Sequence, residues 1–135
     1  MNKKIAKEEV ILVVEDERPL ADAIKVKLEK NGFAVVTART VQQTLNYLED
    51  LGTVDAIWLD HYLLGKENGL DFMAQLKTNE GRWKNIPVFV VSNTANPDQV
   101  QSYLRFGVYK YYTKADYRLD DIIGEIKSFL ENPEE

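Results

Sequence analysis

A doubly wound, five-stranded parallel α/β sheet of (βα)5 order is the fold class that this 135-residue chain predicts. Three observations carry the expectation. Short apolar runs rich in β-branched and aromatic residues recur along the chain, and each is followed by a stretch with apolar residues at helical spacing. The runs are also nearly continuous in apolar residues, as suits strands covered on both faces.

The elements follow in order. VILVV, Val10 to Val14, reads as the first strand, and Leu20, Ile24 and Leu28 then repeat every fourth residue. Pro19 suits the first turn of that helix, and Asn31-Gly32 stops it. FAVVTA, Phe33 to Ala38, is the second strand; Thr40 caps a helix striped by Val41, Leu45 and Leu48. VDAIWL, Val54 to Leu59, is the third, with Asp55 as a structural residue at its start, and Leu70, Met73 and Leu76 mark its helix. Trp83 is expected to pin the loop before VFVV, Val88 to Val91. Asn96 and Pro97 open the fourth helix. VYKYYT, Val108 to Thr113, is a more amphipathic fifth strand, and Leu119, Ile122, Ile123, Ile126, Phe129 and Leu130 give the clearest helical stripe. Parallel strands need a covering connection, and such crossovers are right-handed. One domain over residues 1–135 is expected, with a short disordered N-terminus and a frayed C-terminal tail. No output domain is expected after the fifth helix.

Composition narrows the chemistry. The 17 Lys and Arg are scattered among 22 Asp and Glu for a net charge of -5, so no clustered basic face is expected and direct nucleic-acid binding is disfavoured. The lack of cysteine removes thiolate metal sites, thiol catalysis and disulfides. The lysines near the start precede an apolar run too short for a secretory signal, and no segment nears the ~18 apolar residues of a membrane span. A soluble, cytoplasmic protein without a membrane partner is the expectation.

In a doubly wound sheet ligands sit beyond the carboxyl ends of the strands. There the sequence places Glu15 and Asp16 after the first strand, Asp60 after the third, Ser92 after the fourth and Lys114 after the fifth. The second ends in Thr37 to Arg39, to which no role is assigned. Two carboxylates about 4 Å apart repel by roughly 4 kcal/mol at an effective dielectric near 20, so a cation is expected among them. Magnesium takes oxygen ligands and is usually held by one or two carboxylates. A carboxylate can also attack phosphorus when charge on the transferring group is neutralised, here by the ion and Lys114, with Ser92 bonding a phosphoryl oxygen. Each residue has a plainer reading: helix N-terminal acids for Glu15 to Glu17, a turn residue for Asp60, a surface cation for Lys114. These are common singly and unexpected jointly; only Glu17 keeps the plainer role. His61 is the sole histidine, and strand alternation turns its side chain away from that of Asp60.

The stretches VVEDE, WLDHYL, IPVFVVSN and GVYKYYTK, in that order and spacing, make nearly the whole chain similar to the response-regulator receiver domains of two-component signalling, of the single-domain type. The resemblance implies the flavodoxin-like receiver fold, with Asp60 as phosphoacceptor. It implies Mg²⁺ held, directly or through water, by Glu15, Asp16, Asp60 and the backbone carbonyl of Tyr62. Ser92 and Tyr111 become a switch pair in which Tyr111 moves inward behind Ser92, and Lys114 contacts the phosphoryl group. Tyr62, Asn93 and Thr94 become rate-tuning positions. The implied partners are a sensor histidine kinase or phosphotransfer protein and a downstream protein target. The target is met by the face of the fourth helix, fifth strand and fifth helix, near Tyr103, Tyr109 and Tyr117; a phosphorylation-linked dimer is a further association of this type. The domain would promote its own phosphorylation and dephosphorylation, with no separate substrate turned over.

Four features depart from the family pattern. Ala115 stands where proline usually follows the lysine, the loop after Asp60 reads Leu63-Leu64-Gly65, that loop is one residue longer up to Gly69, and Asn93 replaces a small residue. None removes a charge, so altered rates are expected before lost function. Ala115 and Asn93 also suggest an alternative, a receiver-like interaction module not regulated by phosphorylation. A phosphatase or flavin carrier on the same architecture fits less well: Tyr62 stands where the phosphatase wants a second aspartate, and acids follow the first strand where a flavin phosphate would need a cradle.

Overall fold

The computed structural model describes residues 8–78 and 81–132; the terminal tails expected from the sequence lie, apart from Glu8, Glu9 and Asn132, outside the described residues. Five strands alternate with five helices: β1 (Val10–Val14), α1 (Arg18–Lys30), β2 (Ala34–Ala38), α2 (Val41–Leu51), β3 (Ala56–Leu59), α3 (Gly69–Thr78), β4 (Val88–Ser92), α4 (Pro97–Arg105), β5 (Lys110–Thr113) and α5 (Leu119–Glu131). The sheet order is β2-β1-β3-β4-β5, all neighbours parallel. The chain leaves β1 towards β2 on one side and returns to β3 on the other, which opens a crevice at the carboxyl ends of β1 and β3.

Strand alternation sorts the core into two layers. Ile11, Val13, Trp58, Phe89, Val91 and Tyr112 face one side and pack on Ile24 and Leu28 of α1 and Ile122, Ile123 and Ile126 of α5. Leu12, Val14, Ile57, Leu59, Val88 and Val90 face the other, against α2 (Val41, Leu48), α3 (Phe72, Met73, Leu76) and Tyr103 of α4. Each such side chain, fully buried, contributes about 1.5–3 kcal/mol. Because the central strands β1, β3 and β4 are covered twice, apolar residues fill them almost continuously, whereas the edge strands β2 and β5 are only partly buried.

The ends form as their residues dictate. Thr40 accepts Gln43 N–H at its hydroxyl, and Asn96 accepts from Asp98 and Gln99 at the start of α4, just before Pro97. Gly32, at φ 93°, closes α1 after Asn31. Trp83 is buried in the core and its carbonyl accepts from Ile86 N–H, anchoring the loop before β4. β3 starts at Ala56, two residues later than the apolar run suggests. Asp55 lies ahead of it and spends its carboxylate on Val10 N–H at 2.8 Å, a structural role. β5 likewise starts at Lys110, because Val108 turns into the core after Gly107.

Candidate functional site: an acidic pocket at the switch point

The carboxylates are set by the sheet itself. Ladder hydrogen bonds run one residue past the strands, from Glu15 N to Ala38 O at 2.9 Å and from Asp60 N to Val14 O at 3.0 Å. Glu15 and Asp60 therefore leave adjacent strands at the same level, and Asp16 is one residue further on. Ligand oxygens of Glu15, Asp16 and Asp60 all lie within 4.8 Å of one another. Glu15 and Asp60 are buried, at 1% and 4% exposure, and Asp16 is half-buried.

Lys114 closes the pocket from β5. It begins a short 3-10 turn, Lys114–Asp116, and its Nζ stands 3.3 Å from Glu15 Oε1 and 3.4 Å from Asp60 Oδ2. With Ala115 in place of proline the ammonium still reaches both carboxylates. His61 N–H donates to Asp60 Oδ1 at 2.7 Å, and Glu17 N–H to Glu15 Oε2 at 3.1 Å.

One ammonium does not balance three carboxylates. Burial, and then the charge of Asp60, push the Glu15 carboxyl up to about 7, against the opposing pull of Lys114 and the Glu17 N–H. Burial likewise raises Asp60 despite Lys114 and the His61 N–H. Burial alone would lower Lys114, but the Asp60 and Glu15 charges outweigh it and hold the lysine above its ordinary value. Burial is thus the main cause at both carboxyls, and the charge of Asp60 adds to it at Glu15. An all-oxygen donor set of this kind suits a hard divalent ion.

The other expected site residues form a second group along β4, α4 and β5. Ser92 is fully buried at the end of β4, and its hydroxyl accepts Thr94 N–H at 3.4 Å. Tyr111, half-buried on β5, donates its hydroxyl to Thr94 O at 2.7 Å and accepts from Gln99 Nε2 at 2.9 Å. Thr94 thus bridges Ser92 and Tyr111. Asn93 is exposed, as is Tyr62, whose ring meets His61 edge-on.

Two residues depart from the expectation drawn from sequence. Tyr103, placed there near an exposed partner face, is fully buried, and its hydroxyl lies 2.7 Å from His61 Nδ1. His61 keeps the strand parity of Ile57 and Leu59 and so points towards α4, away from the carboxylates. Gly69 makes room for the tyrosine: a Cβ there would collide with the Tyr103 hydroxyl. Arg39, given no role, donates from Nε and Nη2 to the backbone carbonyl of Asp16 at 3.0 and 2.9 Å. A lone arginine at the end of a strand carries no spacing signal; only the β2-β1 adjacency shows whose carbonyl it reaches.

Comparison with known proteins agrees with this geometry. Residues 11–127 match the response regulator receiver domain family. The phosphate regulon transcriptional regulatory protein PhoB of Escherichia coli (strain K12) is 32% identical over 120 residues, covering 89% of this chain and 51% of PhoB, so the chain spans about half the length of that relative. Among solved structures, the phosphorylated cyanobacterial phytochrome response regulator RcpA superposes with a TM-score of 0.82 at 26% identity, covering 96% of this chain and 98% of RcpA. The Mn²⁺-bound form of response regulator Rcp1 superposes with a TM-score of 0.71 at 25% identity, covering 90% and 91%. With its five-stranded parallel fold and an acidic pocket at the switch point, the chain belongs to the response regulator receiver domain family of two-component signalling.

Proposed function

We propose that this receiver domain accepts a phosphoryl group on Asp60 from the phosphohistidine of a sensor histidine kinase or phosphotransfer protein, in a Mg²⁺-dependent reaction in the cytoplasm, and thereby switches its affinity for a protein target. A carboxylate oxygen of Asp60 attacks phosphorus, the P–N bond to the donor imidazole breaks, and the leaving imidazole keeps the bond pair and takes a proton. Lys114, 3.4 Å from Asp60, supplies positive charge where the phosphoryl oxygens arrive, and Ser92 offers a buried hydroxyl nearby in the sheet. Glu15, Asp16, Asp60 and the Tyr62 carbonyl would hold the ion, which when bound neutralises charge on the transferring group. The single observation that carries the reading is the meeting of Glu15, Asp16, Asp60 and Lys114 in one pocket from three separate strand ends.

An acyl phosphate adds about -1.5 to -2 charges beside Lys114 and Ser92. The Ser92–Thr94–Tyr111 bridge is the element that such a charge would bias, and it leads to α4 through Gln99. Leu104 and Tyr109, 46% and 48% exposed, lie on the α4, β5 and α5 side, where the target is proposed to dock. The phosphate-independent alternative is not favoured, since Asn93 faces solvent and Lys114 stays in the pocket with Ala115 behind it.

Incubation with acetyl phosphate and Mg²⁺, followed by mass spectrometry of the intact protein, tests the proposal. A phosphate-sized gain in wild type and none in Asp60→Asn is expected; no gain in wild type, or an equal gain in the variant, rejects it.

A further inference from the structure

We infer that Arg39 is a positioning residue for the divalent-ion site, fixing the backbone of Asp16 and tying the β1-α1 loop to the loop that follows Asp60. The inference rests on the reading that Glu15, Asp16 and Asp60 hold a divalent cation. Three parts of this one residue act together. Its guanidinium forks onto the Asp16 carbonyl through Nε and Nη2, at 3.0 and 2.9 Å. Its own carbonyl accepts from Leu64 N–H at 3.0 Å, within the long loop that follows Asp60. Its N–H donates to Gln43 Oε1 at 2.8 Å, fastening the residue to the first turn of α2. The β1-α1 loop and the β3-α3 loop are thus tied to one point at the end of β2, the edge strand.

A cavity of about 280 Å³, whose lining includes Glu15, Arg18, Thr37 and Tyr47, opens beside the Arg39 side chain, so a shorter residue would leave the Asp16 carbonyl facing space. An outer partner of this kind sets where a ligand sits without touching the ion. The extra residue of the loop after Asp60 fits the same arrangement, because Leu64 reaches Arg39 while Leu63 is buried in the core.

A positive charge this near the acidic cluster has a competing effect: it repels a cation. Positioning and repulsion predict opposite outcomes. If charge dominated, Arg39→Ala would bind Mg²⁺ more tightly and Arg39→Lys would match wild type. If positioning dominates, both variants bind more weakly, since lysine keeps the charge but cannot fork onto one carbonyl.

Titration of MgCl2 into wild type, Arg39→Lys and Arg39→Ala, by calorimetry and by Trp58 fluorescence in a Trp83→Phe background, separates the two. The expected result is roughly tenfold weaker binding or more in both variants, the usual size of an outer-partner loss. The Mg²⁺-induced rise in melting temperature should shrink with it, whereas melting in EDTA changes far less; a merely structural role would lower both alike. Should Arg39→Ala not fold, Arg39→Lys alone decides. Wild-type affinity in Arg39→Lys, or tighter binding in Arg39→Ala, overturns the inference while leaving the ion site standing. A wild type that takes up no Mg²⁺ overturns the site reading and this inference with it.

Discussion

Glu15 is the residue at which the electrostatic tension of the pocket is largest. Its carboxyl, ordinarily near 4.5, is raised to about 7 by burial and by Asp60, and Asp60 is raised in the same direction from 3.8. Between about 4.5 and about 7 the metal-free folded chain therefore holds a proton on Glu15 that the unfolded chain has released, and Asp60 acts in the same direction. The stability tied to this protonation is fully present below the unfolded values and is lost as pH rises through about 7. A divalent ion does at high pH what the protons do at low pH. In EDTA the urea midpoint should accordingly fall between about pH 5.5 and about pH 7.5, and millimolar Mg²⁺ should restore it at the upper pH while adding little at the lower. A Mg²⁺ effect of equal size at both pH values would show that these carboxyls do not form the ion site.

At the scale of elements, α4 is bonded to the residue that follows Asp60. Burial keeps the Tyr103 hydroxyl protonated and holds His61 below its ordinary range, hence neutral. Nδ1 of His61 is the one hydrogen-bond partner of that hydroxyl among the described residues, the donor and acceptor roles following the tautomer of the imidazole. Tyr103→Phe should cost about 1 kcal/mol in urea unfolding, and a double-mutant cycle with His61→Leu should return a coupling of similar size. Additive losses would mean that the bond contributes nothing. Neither partner was legible as such beforehand. Strand and helix positions follow from local apolar spacing, which is why Leu20-Ile24-Leu28 and the Ile122-Ile126 stripe are plain in the sequence and appear as α1 and α5. Tyr103 looked like one tyrosine among several because its burial depends on Gly69, thirty-four residues earlier. Glu15, Asp16, Asp60 and Lys114 were readable because each ends or follows a strand, and strand order alone brings such positions together. Arg39 ends a strand too, but its partner is a backbone carbonyl, and every residue has one.

Over the whole molecule, rigid and adjustable parts are distributed unevenly. Glu15 and Asp60 continue the hydrogen-bond ladder of β1, β2 and β3, and the core side chains of β1 and β3 are close to fully buried on both faces. The Ser92–Thr94–Tyr111 bridge, in contrast, runs through loop and side-chain bonds to α4, whose only buried residue is Tyr103. A change of charge at Asp60 meets a stiff sheet on one side and a lightly anchored helix on the other, so rearrangement is expected at α4. Hydrogen exchange should show it: with phosphoryl donor and Mg²⁺ present, protection should change in α4 and the β4-α4 loop and stay constant in β1 and β3. Equal changes in β1 would contradict this division.

The crowding between Gly69 and Tyr103 has a consequence for how the sequence can drift. The start of α3 and the last turn of α4 share one small volume, ceded by a glycine and filled by a phenol oxygen, and the backbone of Asp60 and His61 bounds it tightly on the other side. Gly69→Ala alone should lose about 1–3 kcal/mol through overpacking. Part of that loss should return once Tyr103→Phe vacates the contested space, making the second substitution harmful in one background and helpful in the other.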